Sequence, residues 1–75
     1  MLYVDVKKTG ENIDALRRKK GLTITQLSEA MDYGASYQAV YKWVTGHNLP
    51  SIDNLVVLAS LLDTSMDDII AVERR

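Results

Sequence analysis

Five hydroxyl side chains, Thr9, Thr23, Ser36, Ser51 and Ser65, each stand directly ahead of a short stretch in which apolar residues recur at helical spacing. A Ser or Thr in that place accepts a hydrogen bond from a backbone N–H of the first turn and so marks a helix start. The first helix is expected over residues 10–20, with Glu11 in its first turn and Arg17, Arg18, Lys19 and Lys20 in its last, each suiting the helix dipole. Ile13 and Leu16 face inward, and Gly21 is the stop. Thr23 and Gln26 form a capping box for a second helix over 24–31, whose buried stripe is Leu27, Ala30 and Met31. Asp32-Tyr33-Gly34-Ala35 make a turn; Ser36 opens a third helix over 37–45, with Val40 and Trp43 inward and Gly46 ending it. Ser51 caps a fourth helix over about 52–62, striped by Ile52, Leu55, Leu58, Ala59 and Leu62. Ser65 with Asp68 caps a fifth over about 66–72 carrying Met66, Ile69 and Ile70, after which Glu73-Arg74-Arg75 are expected to fray. Helices this short bury their stripes only against one another, so the expected fold is all-α, a compact five-helix bundle.

Ahead of it Leu2, Val4 and Val6 alternate with Tyr3 and Asp5, the period of an extended chain. Residues 1–8 are therefore expected as a short N-terminal arm, either a strand or an ordered extended segment, and residues 9–72 as the domain. A length of 75 residues allows one small domain, and with no cysteine its stability must come from packing. No metal is expected, because cysteine is absent and His47 stands alone. No apolar run approaches the ~18 residues of a membrane span, and in the opening MLYVDVKK the charges follow the apolar residues, the reverse of a secretory signal. A cytoplasmic place is expected, which the missing cysteines fit. No Ser/His/Asp, Cys/His or glycine-rich phosphate signature is present, and Asp53, Asp67 and Asp68 fall in first turns as dipole partners. No catalytic residue, cofactor or small-molecule ligand is expected.

Residues 23–46 carry the functional information: a capped helix, a turn, a second capped helix and a glycine stop make a helix-turn-helix. In that motif the second helix lies in the DNA major groove, so it needs one apolar face for the core and one free face for bases. In helix 37–45, Val40 and Trp43 hold the inner face while Tyr37, Gln38, Tyr41 and Lys42 fall on the other. Gln38 can pair with adenine through its amide, Lys42 can reach guanine acceptors or a phosphate, and Ala39 and the tyrosine rings can touch thymine methyls.

From Gly10 to Ile70, about four-fifths of its length, the chain resembles the phage-repressor/Cro (XRE-type) helix-turn-helix family. The resemblance is carried by Ile13 and Leu16, Lys20-Gly21-Leu22-Thr23, Leu27-Ser28-Glu29-Ala30-Met31, Val40-Tyr41-Lys42-Trp43 with Gly46, Leu49-Pro50-Ser51-Ile52-Asp53-Asn54-Leu55, and Met66-Asp67-Asp68-Ile69-Ile70. It is strongest to short stand-alone regulators of Gram-positive bacteria. The resemblance implies a phage-repressor-type five-helix domain that binds a double-stranded DNA operator and regulates transcription, often as a homodimer and in repressor form. Carried across, it implies base reading by Tyr37, Gln38 and Lys42 with Tyr41 or Ala39 adjacent, and phosphate contacts from Thr23, Ser36, His47 and Asn48. Three departures stand out. The turn before the third helix is two residues longer, with Gly34-Ala35 extra. The usual Gln at the start of the second helix is Ile24, so Thr25 or Gln26 must supply that phosphate anchor. The usual acidic residue after the Trp is Val44, which leaves Arg17 without that partner.

Arg17 and the basic run behind it either satisfy the helix dipole or steer phosphate. Tyr33 either packs across its turn or touches the DNA backbone. The fourth helix is apolar on more than one face, so Val56, Val57, Leu61 and Val72 are expected in a homodimer contact; the Leu2-Val4-Val6 arm either covers the same patch within one chain or pairs between chains. The net charge of −1 excludes a generally adhesive basic protein. It averages residues 1–48, with seven Lys or Arg against five Asp or Glu, and residues 49–75, with two against five. A different reading keeps the fold as a protein-interaction module, antitoxin-like or a regulatory partner, with weak DNA binding or none; the near-neutral charge, Ile24 and Val44 motivate it.

Overall fold

A computed structural model describes residues 1–75, the side chain of Tyr33 excepted. The chain runs through β1 (Leu2–Val4), α1 (Val6–Lys19), α2 (Ile24–Ala30), a 3-10 turn (Asp32–Gly34), α3 (Tyr37–Val44), α4 (Ile52–Leu61), α5 (Met66–Ile69) and β2 (Val72–Arg74). The five expected helices are present around one core, joined by a small antiparallel ribbon of the two termini. Ile13 of α1, Leu27 and Met31 of the α2 region, Val40 and Trp43 of α3, Leu55, Leu58 and Leu62 of the α4 region and Ile69 of α5 form that core. Burying each of these large side chains contributes about 1.5–3 kcal/mol. The hydroxyls of Thr23, Ser36, Ser51 and Ser65 accept first-turn N–H bonds as expected. Gly21 and Gly46 close α1 and α3 with φ of 73° and 78°, a left-handed turn that costs glycine little.

The expected helix 10–20 and arm 1–8 are corrected at the N-terminus. α1 begins at Val6 and is capped by Asp5, whose Oδ1 accepts from the Lys8 N–H at 2.9 Å. Residues 6–8 therefore belong to the helix. Thr9 does not cap it but lies buried within it, and its Oγ1 accepts from the Ala71 N–H at 3.0 Å. Gly10 is likewise inside α1, pressed on α3: a Cβ there would lie 2.1 Å from the Trp43 carbonyl oxygen.

The C-terminus is corrected too. α5 ends at Ile69 rather than near residue 72, and Ile70 is already extended. Val72, Glu73 and Arg74 then pair with Val4, Tyr3 and Leu2, so the tail is ordered. Met1 and Arg75 exchange a pair of backbone hydrogen bonds at 3.0 Å, and the Arg75 guanidinium sits over the Tyr3 ring, 4.9 Å from its centroid, while bonding Glu73. Asp5 N–H donates to the Ala71 carbonyl at 2.8 Å, and Asn12 Nδ2 donates to the Ile69 carbonyl at 3.0 Å. α1 thus holds the chain that follows α5 and delivers it to β1. In the stripes, Ala30 and Met66 are exposed rather than inward, and Ile52 is 77% exposed. The core side of α4 is centred on Leu55, Leu58 and Leu62, which rotates Ile52 to its edge.

Candidate nucleic-acid interface

α3 is short, and everything that aims it comes from its neighbours. Val40 and Trp43 are buried, and Ala39 and Val44 pack against the same core half-exposed. Tyr37, Gln38, Tyr41 and Lys42 are all exposed. At about 100° per residue they form two parallel rows on the outer face, each of residues four apart. One row is aromatic: the rings of Tyr37 and Tyr41 stack with centroids 6.2 Å apart and planes 15° apart. The other row is Gln38 and Lys42, an amide followed by an ammonium. Ala39 turns away from these rows toward the core, so its methyl is less available than sequence spacing implies.

α1 crosses the back of α3, with Gly10 against the Trp43 carbonyl. On the other flank the longer turn is secured rather than slack. Ser28 Oγ donates to the Ala35 carbonyl at 2.9 Å, the Gly34 N–H donates to the Met31 carbonyl at 3.0 Å, and Ala35 packs on the core. Asp32 takes a left-handed φ of 57° in this turn, a conformation that Asp tolerates. The expectation for Tyr33 concerns a side chain outside the described residues.

The backbone-contact candidates divide. Thr23 and Gln26 form the reciprocal capping box: the Gln26 N–H donates to Thr23 Oγ1 at 3.0 Å, and the Thr23 N–H donates to Gln26 Oε1 at 2.9 Å. That bond fixes the amide and leaves Gln26 Nε2 as an outward donor. Thr25 is exposed beside it, and Ile24 is half-buried against the core, which accounts for an apolar residue at that position. Ser36 is exposed at the start of α3, and its oxygen accepts from the Ala39 N–H at 3.1 Å. His47 and Asn48 are exposed where the chain wraps the end of α3, their N–H groups both directed to the Lys42 carbonyl. Thr45 Oγ1 donates its one proton to the Tyr41 carbonyl at 2.6 Å. His47 Nδ1 lies 2.8 Å from Thr45 Oγ1.

Arg17 is placed differently. Its side chain is 13% exposed, and the guanidinium donates to Asp14 Oδ1 at 3.1 and 2.6 Å and to the Leu22 carbonyl at 2.7 Å. Asp14 supplies the acidic partner absent at Val44, and Arg17 pins the loop into α2. Arg18 also pairs with Asp14, and Lys20 with Asp63, so within the basic run only Lys19 lacks a carboxylate. Sequence reasoning missed Lys7. A Cβ on Gly46 would lie 3.0 Å from the Lys7 Cα, so α1 starts against the turn that closes α3, and Lys7 is exposed there. No local pattern links two positions so far apart in sequence.

Of the four contact residues expected in a dimer, Val56 and Val72 are 54% and 58% exposed, Val57 is exposed at the margin, and Leu61 is half-buried against the core. Val4 and Ile52 line one apolar groove of about 190 Å³ with Leu49, Pro50, Leu55 and Ile70. Leu2, Val4 and Val72 share the ribbon face that borders it. The arm meets α4 at Ile52 and Leu55 and leaves Val56 and Val57 exposed. Among the described residues no helix is long and apolar enough to cross a membrane, and no group of three or more His, Cys, Asp or Glu is placed to hold a metal ion.

A family model described as helix-turn-helix matches residues 13–69, about three-quarters of the chain. No curated protein and no solved structure matches it.

Proposed function

The chain belongs to the helix-turn-helix family of phage-repressor/Cro type, a family of DNA-binding regulators rather than of enzymes, and on that premise we propose that it reads a specific double-stranded operator with α3 and represses transcription by occupying it. The observation that carries this reading is the face of α3 opposite Val40 and Trp43, where Tyr37, Gln38, Tyr41 and Lys42 are free of the core. A helix of this kind enters the major groove and meets base edges with its N-terminal residues. Gln38 reads adenine through N6 and N7, and Lys42 takes a guanine or a phosphate. Thr23, Thr25, Gln26 Nε2, Ser36, Asn48 and His47 hold phosphates on either side of α3, and Lys7 joins them from the start of α1. Arg17, committed to Asp14 and Leu22, is left out of this set.

The regulator acts as a homodimer, which places two copies of α3 in successive major grooves about 34 Å apart. Its weakly basic reading half and acidic back half orient it on the duplex, and the small net charge keeps non-specific binding low. In this role it works in the bacterial cytoplasm, at the nucleoid when bound.

Selection from a random duplex pool, followed by a salt series on the recovered site, tests this. The expected result is one near-palindromic site whose affinity falls steeply with salt, log K losing about 0.9 per decade of salt for each phosphate neutralised. Recovery of no duplex, or affinity flat in salt, would sink the DNA reading and leave the protein-interaction module, for which the exposed apolar surface of α4 and the ribbon would be the contact.

A further inference from the structure

We infer that the stacked Tyr37–Tyr41 pair reads the 5-methyl group of a thymine, so that α3 selects an A·T step beside the adenine paired with Gln38. The inference rests on α3 being the groove-facing helix and names the chemistry that this face prefers.

Exposed tyrosines ordinarily sample several rotamers, and ordering two of them on binding costs entropy. Here each ring is close to half exposed, and the two support one another at 6.2 Å, nearly parallel. Offset stacking of this kind is favourable without a core around it. The result is a preformed apolar strip of two phenol rings along the outer face of an otherwise polar helix.

In the major groove thymine is the one standard base that offers an apolar group, the C5 methyl; the other groups there are donors and acceptors. An apolar strip has no better partner among base edges. The neighbouring row supports the same choice. Gln38 complements adenine in a bidentate pair, whereas guanine is read by Arg or Lys. The exposed face of α3 has no Arg, and its one cation, Lys42, stands a turn beyond Gln38, in the last turn. The N-terminal part of the helix, which enters the groove deepest, therefore presents an adenine reader and a methyl surface side by side.

The experiment uses the duplex recovered by selection on the full chain, resynthesised with deoxyuridine in place of each thymine in turn. This change removes the methyl group and keeps base pairing. One or two positions are expected to lose about fourfold in affinity, the worth of one buried methyl. Tyr37→Ala with Tyr41→Ala should bind the thymine and uracil duplexes equally, while Tyr37→Phe with Tyr41→Phe keeps the difference, because the ring and not the hydroxyl makes the contact. Thermal unfolding of each variant reports whether the fold is kept. If the wild-type chain binds its duplex and no thymine is sensitive to uracil, the inference is overturned. It is overturned equally if the Phe variants lose the thymine–uracil difference, since the hydroxyls and not the rings would then make the contact. A pool that returns no duplex removes the groove reading itself, and this inference with it.

Discussion

Gly10 occupies a position with no space for a side chain. An added Cβ would lie 2.1 Å from the Trp43 carbonyl oxygen and 3.2 Å from its carbon, both backbone atoms that cannot swing aside. Gly10→Ala must push α1 off α3, and urea unfolding should show a loss of about 1–3 kcal/mol, the cost of overpacking a tight contact. Because α3, the proposed reading helix, then loses its seat on α1, affinity for the selected duplex should fall beyond what the lost stability explains. Gln38→Ala is the opposite kind of change. The side chain is exposed, so the fold should keep its unfolding midpoint. Discrimination at one or two base positions should fall by about 1–3 kcal/mol, read by binding to a panel of single-substituted duplexes. A uniform loss over the panel would mean that Gln38 contacts the backbone. The two residues also differ in how legible they are. The outward position of Gln38 follows from helical period alone. Gly10 reads as the edge of a helix in the sequence, because the neighbour that demands a glycine is Trp43, far along the chain.

Helix starts are local events, and four of the five expected hydroxyl caps hold in the structure. The fifth, Thr9, shows the limit of local reading. Asp5 offers a competing cap one turn earlier, and Thr9 finds a better use, accepting from the Ala71 N–H in a buried site. Thr9→Val keeps the shape and removes the acceptor. It should destabilise the chain by about 1–3 kcal/mol, the cost of a buried donor left unpaired. The loss should be accompanied by faster amide exchange at Ala71 and across β2; unchanged exchange would show that the ribbon is held by its own pairing. The ribbon could not be read in advance, since three residues carry too little period to distinguish strand from arm and its partner strand lies at the other end of the sequence. The stripe of α4 was legible at Leu55, Leu58 and Leu62 and misplaced at Ile52, because a helix apolar on several faces does not say which one its neighbours will bury.

In the molecule as a whole, Val4 and Ile52 share a groove, Leu2 and Val72 continue the ribbon face beside it, and Val56 follows Ile52 by one turn of α4. A second copy of the chain covering that surface should be visible by sedimentation as a dimer of the wild-type protein. Val56→Glu, at a position 54% exposed, should shift it to monomer without unfolding it. Its affinity for a two-half-site duplex should drop while that for a single half-site is kept. A wild-type chain that stays monomeric on and off DNA would remove the homodimer. By itself the amino-acid sequence determined the helices, their caps, the core stripe and the polar face of α3, because period, capping and charge act within a few residues of one another. Only the tertiary structure decided where α1 begins, that Arg17 is held by Asp14 and Leu22, that Lys7 stands against Gly46, and that the two termini pair. The last two depend on which distant backbone the folded chain brings within reach, and a local pattern carries no information about that distance; the first two turn on competing partners close in sequence, Asp5 against Thr9 as cap and Asp14 against a phosphate, between which period and charge do not choose.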